Sequence, residues 1–375
     1  MSTTTRKRLQ GRGRIGVLAV AVATIAGLLA LGSPAQATTA SSAGAGAHPG
    51  MSSSDAGLSP EAAALVKGTG PEARQKALAA YWTPARMQAA IPEDQLLKML
   101  PPAAAKLPST GGAKPQGAAG QVGPAAGKAT VSAGTGVTPN AAAYYPNYPV
   151  GSPPAATNGK VYGTYYINGS YINYQCSAAT VNSEGKSTVW TAGHCVTDTQ
   201  TWATNWAFVP NCYNNGSGGC VAPYGVWYAK QLWTPTAYLN NNNDLCNDVG
   251  AVVMYPQFGY EIDNYLGGQG IQWNAGIGQY MYAFGYPVPG FTGVNLVAAS
   301  DYTYQSPFDN CTVYMPNNMT GGSSGGPWLS SFNGSYGYID GHNDFRYNGY
   351  NSYMWSPYYG NQVASLYGSV RYLVG

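Results

Sequence analysis

From residue 159 to the C-terminus the apolar and aromatic positions come in short runs broken by Gly, Asn and Pro, with no sustained helical period. Residues 161–167 and 170–181 are rich in Tyr, Val and Ile. Asn168-Gly169 between them is the strongest short-range hairpin signal, because both central positions of that turn need a positive φ. Ser183-Glu184-Gly185 then turns the chain into a further strand at 187–191. A region of roughly 220 residues built this way predicts one all-β unit, either a pair of barrels or a sandwich.

Upstream the pattern is different. Arg6, Lys7, Arg8, Arg12 and Arg14 precede an apolar run at 15–31, and the small-x-small site Ala35-Gln36-Ala37 follows it. That is the layout of a secretory signal peptide, residues 1–37, and the run is shorter than the ~20 residues of a spanning helix. The expectation is cleavage after Ala37, no membrane anchor and a secreted, extracellular product. Residues 38–100 read as a prosegment with short helices. Ser59-Pro60-Glu61 and Thr83-Pro84 carry start signals, Gly68 closes the first pattern, and Pro92-Glu93-Asp94 opens a run to Leu100. Residues 101–156 are Ala, Gly, Pro, Ser and Thr with little else, which reads as a flexible linker to a domain at 157–375. Prosegment and linker are expected to be removed or displaced on maturation, with a retained extension that tethers the domain as the alternative reading.

The formal charge of +3 conceals an asymmetry: from Thr157 onward five Lys/Arg face ten Asp/Glu, a net of −5. Such a domain has no electrostatic footprint for nucleic acid. All six cysteines lie in it, at 176, 195, 212, 220, 246 and 311, and an even count in an exported chain reads as disulfides. Cys-x-x-Cys spacing is absent and the three histidines are scattered, so no metal site is expected and no cofactor is called for.

Three local contexts carry chemistry. In VWTAGHCV, His194 follows a strand and is bracketed by small residues and Cys195, which Cys176 on the preceding strand is placed to bond, pinning the turn. In CNDVGAVVM, Asp248 stands at the head of an apolar run, where a carboxylate is costly without a partner; a histidine Nδ1–H is a suitable one. In MTGGSSGGPW, glycines flank Ser324 and let the backbone turn its N–H groups inward without a Cβ in the way. A serine is a poor nucleophile until a base takes its proton, and the oxyanion it creates needs N–H donors, for which Gly322 and Ser324 are placed. Ser323 is the rival nucleophile, but it lacks two following glycines at the same offset. Residues 322–326 also fit the G-x-S-x-G turn of α/β-hydrolases, a fold that needs an acid and then a histidine after the serine. Here Asp340 and His342 are too close together for that role, whereas the order His194, Asp248, Ser324 matches the chymotrypsin-type arrangement.

TAGHC around His194, NDVGAVV around Asp248 and GSSGGP around Ser324 resemble the three catalytic motifs of chymotrypsin-like serine proteases, over roughly residues 159–375. The resemblance implies two six-stranded antiparallel β-barrels with the active site in the cleft between them. It implies a His-Asp-Ser triad working through an acyl-enzyme on a protein or peptide substrate. Cys176–Cys195 resembles the family's disulfide around the catalytic histidine. The exported prosegment and short domain are most similar to secreted bacterial members, including the glutamyl endopeptidase branch. Where the family has Asp before the nucleophile this chain has Ser323, as that branch also lacks the Asp, so activation through an ion pair with a new N-terminus is not implied.

Asn318, six residues before the nucleophile, stands where trypsin-like members hold an Asp for Arg or Lys, which disfavours cleavage after basic residues. Residues 337–344 are expected to line the other wall of the pocket. Asn343 would lie on the substrate-pairing strand, and His342 near the place where glutamyl endopeptidases hold a histidine against a substrate carboxylate. A Glu preference and a large neutral or aromatic one both stay open. Cys212 and Cys220 enclose a loop they are placed to clip, which leaves Cys246 for Cys311. A monomer is expected. Two readings of other kinds remain: a non-catalytic binding module on the same fold, which the 31 tyrosines favour, and an exported esterase.

Overall fold

The computed structural model describes residues 48–97, 113–129, 140–146, 148–198, 201–216, 219–241 and 244–375. The expected signal peptide, the run 98–100 and the linker stretches 101–112 and 130–139 lie outside the described residues.

Asn168 and Gly169 take φ of 50° and 84°, the left-handed pair of a two-residue hairpin, and join Asn158–Ile167 to Ser170–Thr180 in unbroken antiparallel register. These strands belong to a closed antiparallel barrel of six. In order run Trp227–Pro235, Thr204–Pro210, Asn158–Ile167, Ser170–Thr180, Thr188–Thr191 and Gly250–Met254, and the last pairs again with the first. Val161, Tyr165, Tyr174, Trp206, Phe208, Leu232 and Val252, taken from successive strands, share one core, as the period of two requires of a closed sheet. The second half has a six-stranded sheet in the order Val297–Tyr302, Tyr280–Gly285, Pro327–Ser330, Tyr338–His342, Gly270–Trp273 and Gly120–Val122. Tyr304–Gln305, Thr312–Pro316 and Tyr353–Pro357 form a three-stranded sheet beside it. The whole is mostly β and has the two-barrel trypsin fold that the motifs imply, with one departure. Gly270 and Ile271 run parallel, not antiparallel, to Tyr338 and Ile339. Among the described residues no helix is long and apolar enough to cross a membrane.

Residues 48–97 are part of this architecture. Met51–Asp55 adds an antiparallel strand to Trp227–Pro235, and Ile91–Pro92 pairs in parallel with Tyr174 and Gln175. Pro60–Ala63 and Pro84–Ala89 are helices capped by the side chains of Ser59 and Thr83, where the start signals lie. Pro71–Tyr81 is a helix that sequence reasoning missed, although Gly70-Pro71-Glu72 carries the same punctuation. Helices this short bury no core among themselves. They place Leu78, Tyr81, Trp82 and Met87 on the barrel instead, and Trp82 Nε1 donates to the Asn205 carbonyl at 2.6 Å. Described parts of the expected linker are also docked: Gly120–Val122 and Ala125–Ala126 pair with Gly270–Trp273 and Gly267–Gly268, and Ala155 and Ala156 are buried. Ala and Gly offer little to a core, yet their backbone groups still need hydrogen-bond partners, and a sheet edge supplies them.

Candidate active site

His194 sits in the 3-10 turn Gly193–Cys195 that follows the strand Thr188–Thr191. Aromatic side chains of the barrel hold the turn. Tyr165 Oη donates to the His194 carbonyl at 2.9 Å, while Tyr174 Oη and Trp206 Nε1 donate to the Cys195 carbonyl at 2.6 and 2.8 Å. A disulfide joins Cys195 to Cys176 on the neighbouring strand, and the other cysteines pair as Cys212–Cys220 and Cys246–Cys311. Asp248 meets the turn twice, its Oδ1 accepting from the His194 amide at 2.8 Å and its Oδ2 from Nδ1 at 2.9 Å. Gly193 admits that carboxylate, since a Cβ there would lie 2.9 Å from Asp248 Oδ1. Both His194 and Asp248 are buried.

The serine loop, residues 320–326, is fastened from both sides. The Gly325 amide donates to the Asn343 carbonyl at 2.7 Å and the Asn343 amide to the Gly326 carbonyl at 2.8 Å. Ser177, next to Cys176, donates through its amide to the Ser324 carbonyl at 2.7 Å and through Oγ to the Gly322 carbonyl at 2.9 Å. One strand thus holds the histidine turn by a disulfide and the serine loop by hydrogen bonds, and Cys195 Sγ lies 3.6 Å from the Ser324 carbonyl oxygen. Gly325, at φ 79°, tolerates no side chain, because a Cβ would fall 2.0 Å from Thr191 Oγ1. The rival Ser323 is engaged elsewhere, its hydroxyl donating to the Thr320 carbonyl at 2.8 Å.

The expected pocket residues fare differently. Asn318 is exposed, and its side-chain oxygen accepts from the Ala143 amide at 2.6 Å. His342 and Asn343 are both buried. Asn343 Nδ2 donates to the Phe284 carbonyl, and Oδ1 accepts from Asn317 Nδ2 and Trp328 Nε1, all at 2.9 Å. His342 Nδ1 lies 2.9 Å from Tyr359 Oη. The strand Tyr338–His342 is covered on both faces, so alternation along it leads from one buried position to another.

Two acids that sequence reasoning missed complete the surroundings of His194. Asp344 Oδ1 is 3.3 Å from Nδ1, and Glu93 Oε2 is 3.7 Å from Nε2. Burial drives both carboxyls well above their ordinary pKa, and the neighbouring Asp248 adds to the effect on Asp344. Burial also disfavours a charged imidazole, but Asp248 and Glu93 outweigh it and hold His194 well above its ordinary value. Asp248 stays low against its own burial because His194 faces it. An ionised carboxylate orients an imidazole through Nδ1, beside a loop that presents a serine between glycines; these are the parts of a base-activated nucleophile. Nothing in the sequence around Asp344 marks it, and the local role of Glu93 as an acid in a first helical turn hides its tertiary one.

Among solved structures, the chain is 36% identical to the protease Anisep from Arthrobacter nicotinovorans, with a TM-score of 0.52, over 58% of this chain and 97% of that one. It is 32% identical to AL20, a thermostable serine protease from an extremophilic microorganism, with a TM-score of 0.51 and the same coverage of 58% and 97%. No protein-family model matches the chain, and no curated protein does.

Proposed function

The chain belongs to the chymotrypsin-like serine proteases, and from that we propose a secreted serine endopeptidase made as a preproprotein, with His194 as general base, Asp248 as its orienting carboxylate and Ser324 as nucleophile. His194 Nε2 takes the Ser324 hydroxyl proton as Oγ attacks the carbonyl carbon of the peptide bond. The imidazolium that forms is stabilised by Asp248, and the amides of Gly322 and Ser324 receive the oxyanion. The proton then passes to the leaving amine, and water repeats the sequence on the acyl-enzyme. The observation that carries this reading is the paired hydrogen bond from His194 to Asp248, in a turn that a disulfide joins to the strand that also fixes the Ser324 loop. The basic, apolar, small-x-small N-terminus supports export, and the disulfides agree with an oxidising destination. The proposed substrate is a protein or peptide, and the uncharged Asn318 disfavours cleavage after Lys or Arg.

Turnover of peptide anilides and p-nitrophenyl esters by processed protein tests the reading. Wild type should cleave both, and Ser324→Ala should lose anilide cleavage on the order of 10⁶-fold. Turnover of esters alone would make the chain an esterase. Anilide cleavage that survives in Ser324→Ala would remove the nucleophile.

A further inference from the structure

His194 Nε2 is the nitrogen that must accept the serine proton, and a side chain from upstream stands against it. Glu93 is buried, with Oε2 3.7 Å from Nε2. The residues before it are locked to the barrel: Ile91 and Pro92 pair with Tyr174 and Gln175, and Gln175 Nε2 donates to the Ala90 carbonyl at 2.7 Å. Those after it form the helix Glu93–Leu97, with Leu96 fully buried in the core that contains Tyr165, Tyr174 and the Cys176–Cys195 bond. Asp94 reaches the serine loop, since a Cβ on Gly321 would fall 1.9 Å from Asp94 Oδ1. The same carboxylate acts on Arg346, whose Nε and Nη2 are buried without a hydrogen-bond partner among the described residues.

We propose that residues 90–97 are an intramolecular inhibitor of the Ser324 site, an acidic helix start held by the general base through Glu93 and by the nucleophile loop through Asp94; this rests on the triad reading above. Two effects combine. Glu93 Oε2 stands within ion-pair range of Nε2, at 3.7 Å, and its carboxylate adds to Asp248 in holding a proton on the His194 ring, which then offers the serine no bare nitrogen. The segment also resists cleavage while it blocks. The chain turns into a helix at Glu93 and so leaves the extended form, and Pro92 has no N–H to donate to an extended pairing. The ligand class of this cleft surface is therefore a short acidic peptide that begins a helix after proline.

The test is the rate at which a fluorophosphonate modifies Ser324 in the unprocessed full-length chain, followed by intact mass. Unprocessed wild type should react roughly tenfold or more slowly than processed protein, and Glu93→Ala should recover most of that difference. Glu72→Gln, on the exposed start of the upstream helix Pro71–Tyr81, should leave the rate unchanged. Equal rates for unprocessed and processed wild type overturn the inhibitor and leave the protease reading standing. No labelling of processed protein overturns both. Should Glu93→Ala fail to fold, a synthetic peptide of residues 88–97 added to processed wild type decides. Inhibition that weakens roughly tenfold when the peptide carries Glu93→Gln supports the proposal; no inhibition by the natural peptide, or equal inhibition by both, overturns it.

Discussion

Two histidines lie buried under the influence of Asp248, and their surroundings drive them in opposite directions. Around His194 stand Asp248, Asp344 and Glu93, and the carboxylates raise its proton affinity against the cost of burial. Around His342 stand hydroxyls and rings. Its Nδ1 meets Tyr359 Oη at 2.9 Å, and that oxygen accepts from Trp190 Nε1 at 2.9 Å. Burial wins there and pushes the pKa down to about 3, although Asp248 works in the other direction. Burial alone therefore turns a histidine into neutral packing, and a carboxylate bonded to Nδ1 turns it into a base. Distance along the chain from the catalytic motifs says little about which fate applies.

Substitutions at these acids and histidines test the contrast. Asp248→Asn should cost most, about 10⁴-fold in kcat on a peptide anilide at neutral pH, the scale known for such a change in this type of triad. A loss below roughly tenfold would make Asp344 the orienting acid and reverse the ranking of the two. Asp344→Asn should cost less than about tenfold, because a buried carboxyl kept protonated beside Asp248 already resembles an amide in charge. The acid limb of kcat/KM against pH should move by less than about one unit, and a larger shift would show that Asp344 is ionised at rest.

His342→Gln should leave kcat and the pH profile in place and lower stability by about 1–2 kcal/mol through loss of the Tyr359 contact, as thermal unfolding would measure. A displaced acid limb would place His342 in the catalytic charge system. Asp340 offers the weakest test, as an acid shaped by the same physics. Burial pushes its pKa up to about 7, against hydrogen bonds from Gln272 Nε2 at 2.7 Å and Gln279 Nε2 at 2.8 Å. The folded protein then holds a proton that the unfolded chain releases near pH ~4. The stabilisation is complete below about pH 4 and is lost as pH rises through about 7. Wild type should lose melting temperature relative to Asp340→Asn between roughly pH 4 and 8, and parallel curves would contradict the raised pKa.

Much of the frame is legible in local grammar. Asn168-Gly169 announces the central hairpin because few other residues accept two positive φ values in succession, and Ser59 and Thr83 announce helices because their side chains cap free amides. His194, Asp248 and Ser324 stand out because each needs a distinctive neighbourhood of small or apolar residues. The remaining site lay beyond such reasoning. Glu93 is explained locally by the helix it opens, and the pairing of Ile91 and Pro92 with Tyr174 and Gln175 is what aims it at His194. The contacts of residues 337–344 are hidden for a related reason: alternation assigns faces only where one face is open, and the strand Tyr338–His342 has none, so the bonds of His342 to Tyr359 and of Asn343 to Asn317 and Trp328 are not legible in the sequence. The short helices of 60–89 showed their existence but not their docking site, because the surface that receives Trp82 is assembled from strands far away in the chain.

The central claim is that Ser324 is the nucleophile and that His194 makes it reactive. Peptide mapping of processed protein after reaction with a fluorophosphonate tests it most directly. The account predicts one adduct, assigned by fragmentation to Ser324 and lost in His194→Ala. An adduct on Ser323, or labelling that persists undiminished in His194→Ala, would contradict it.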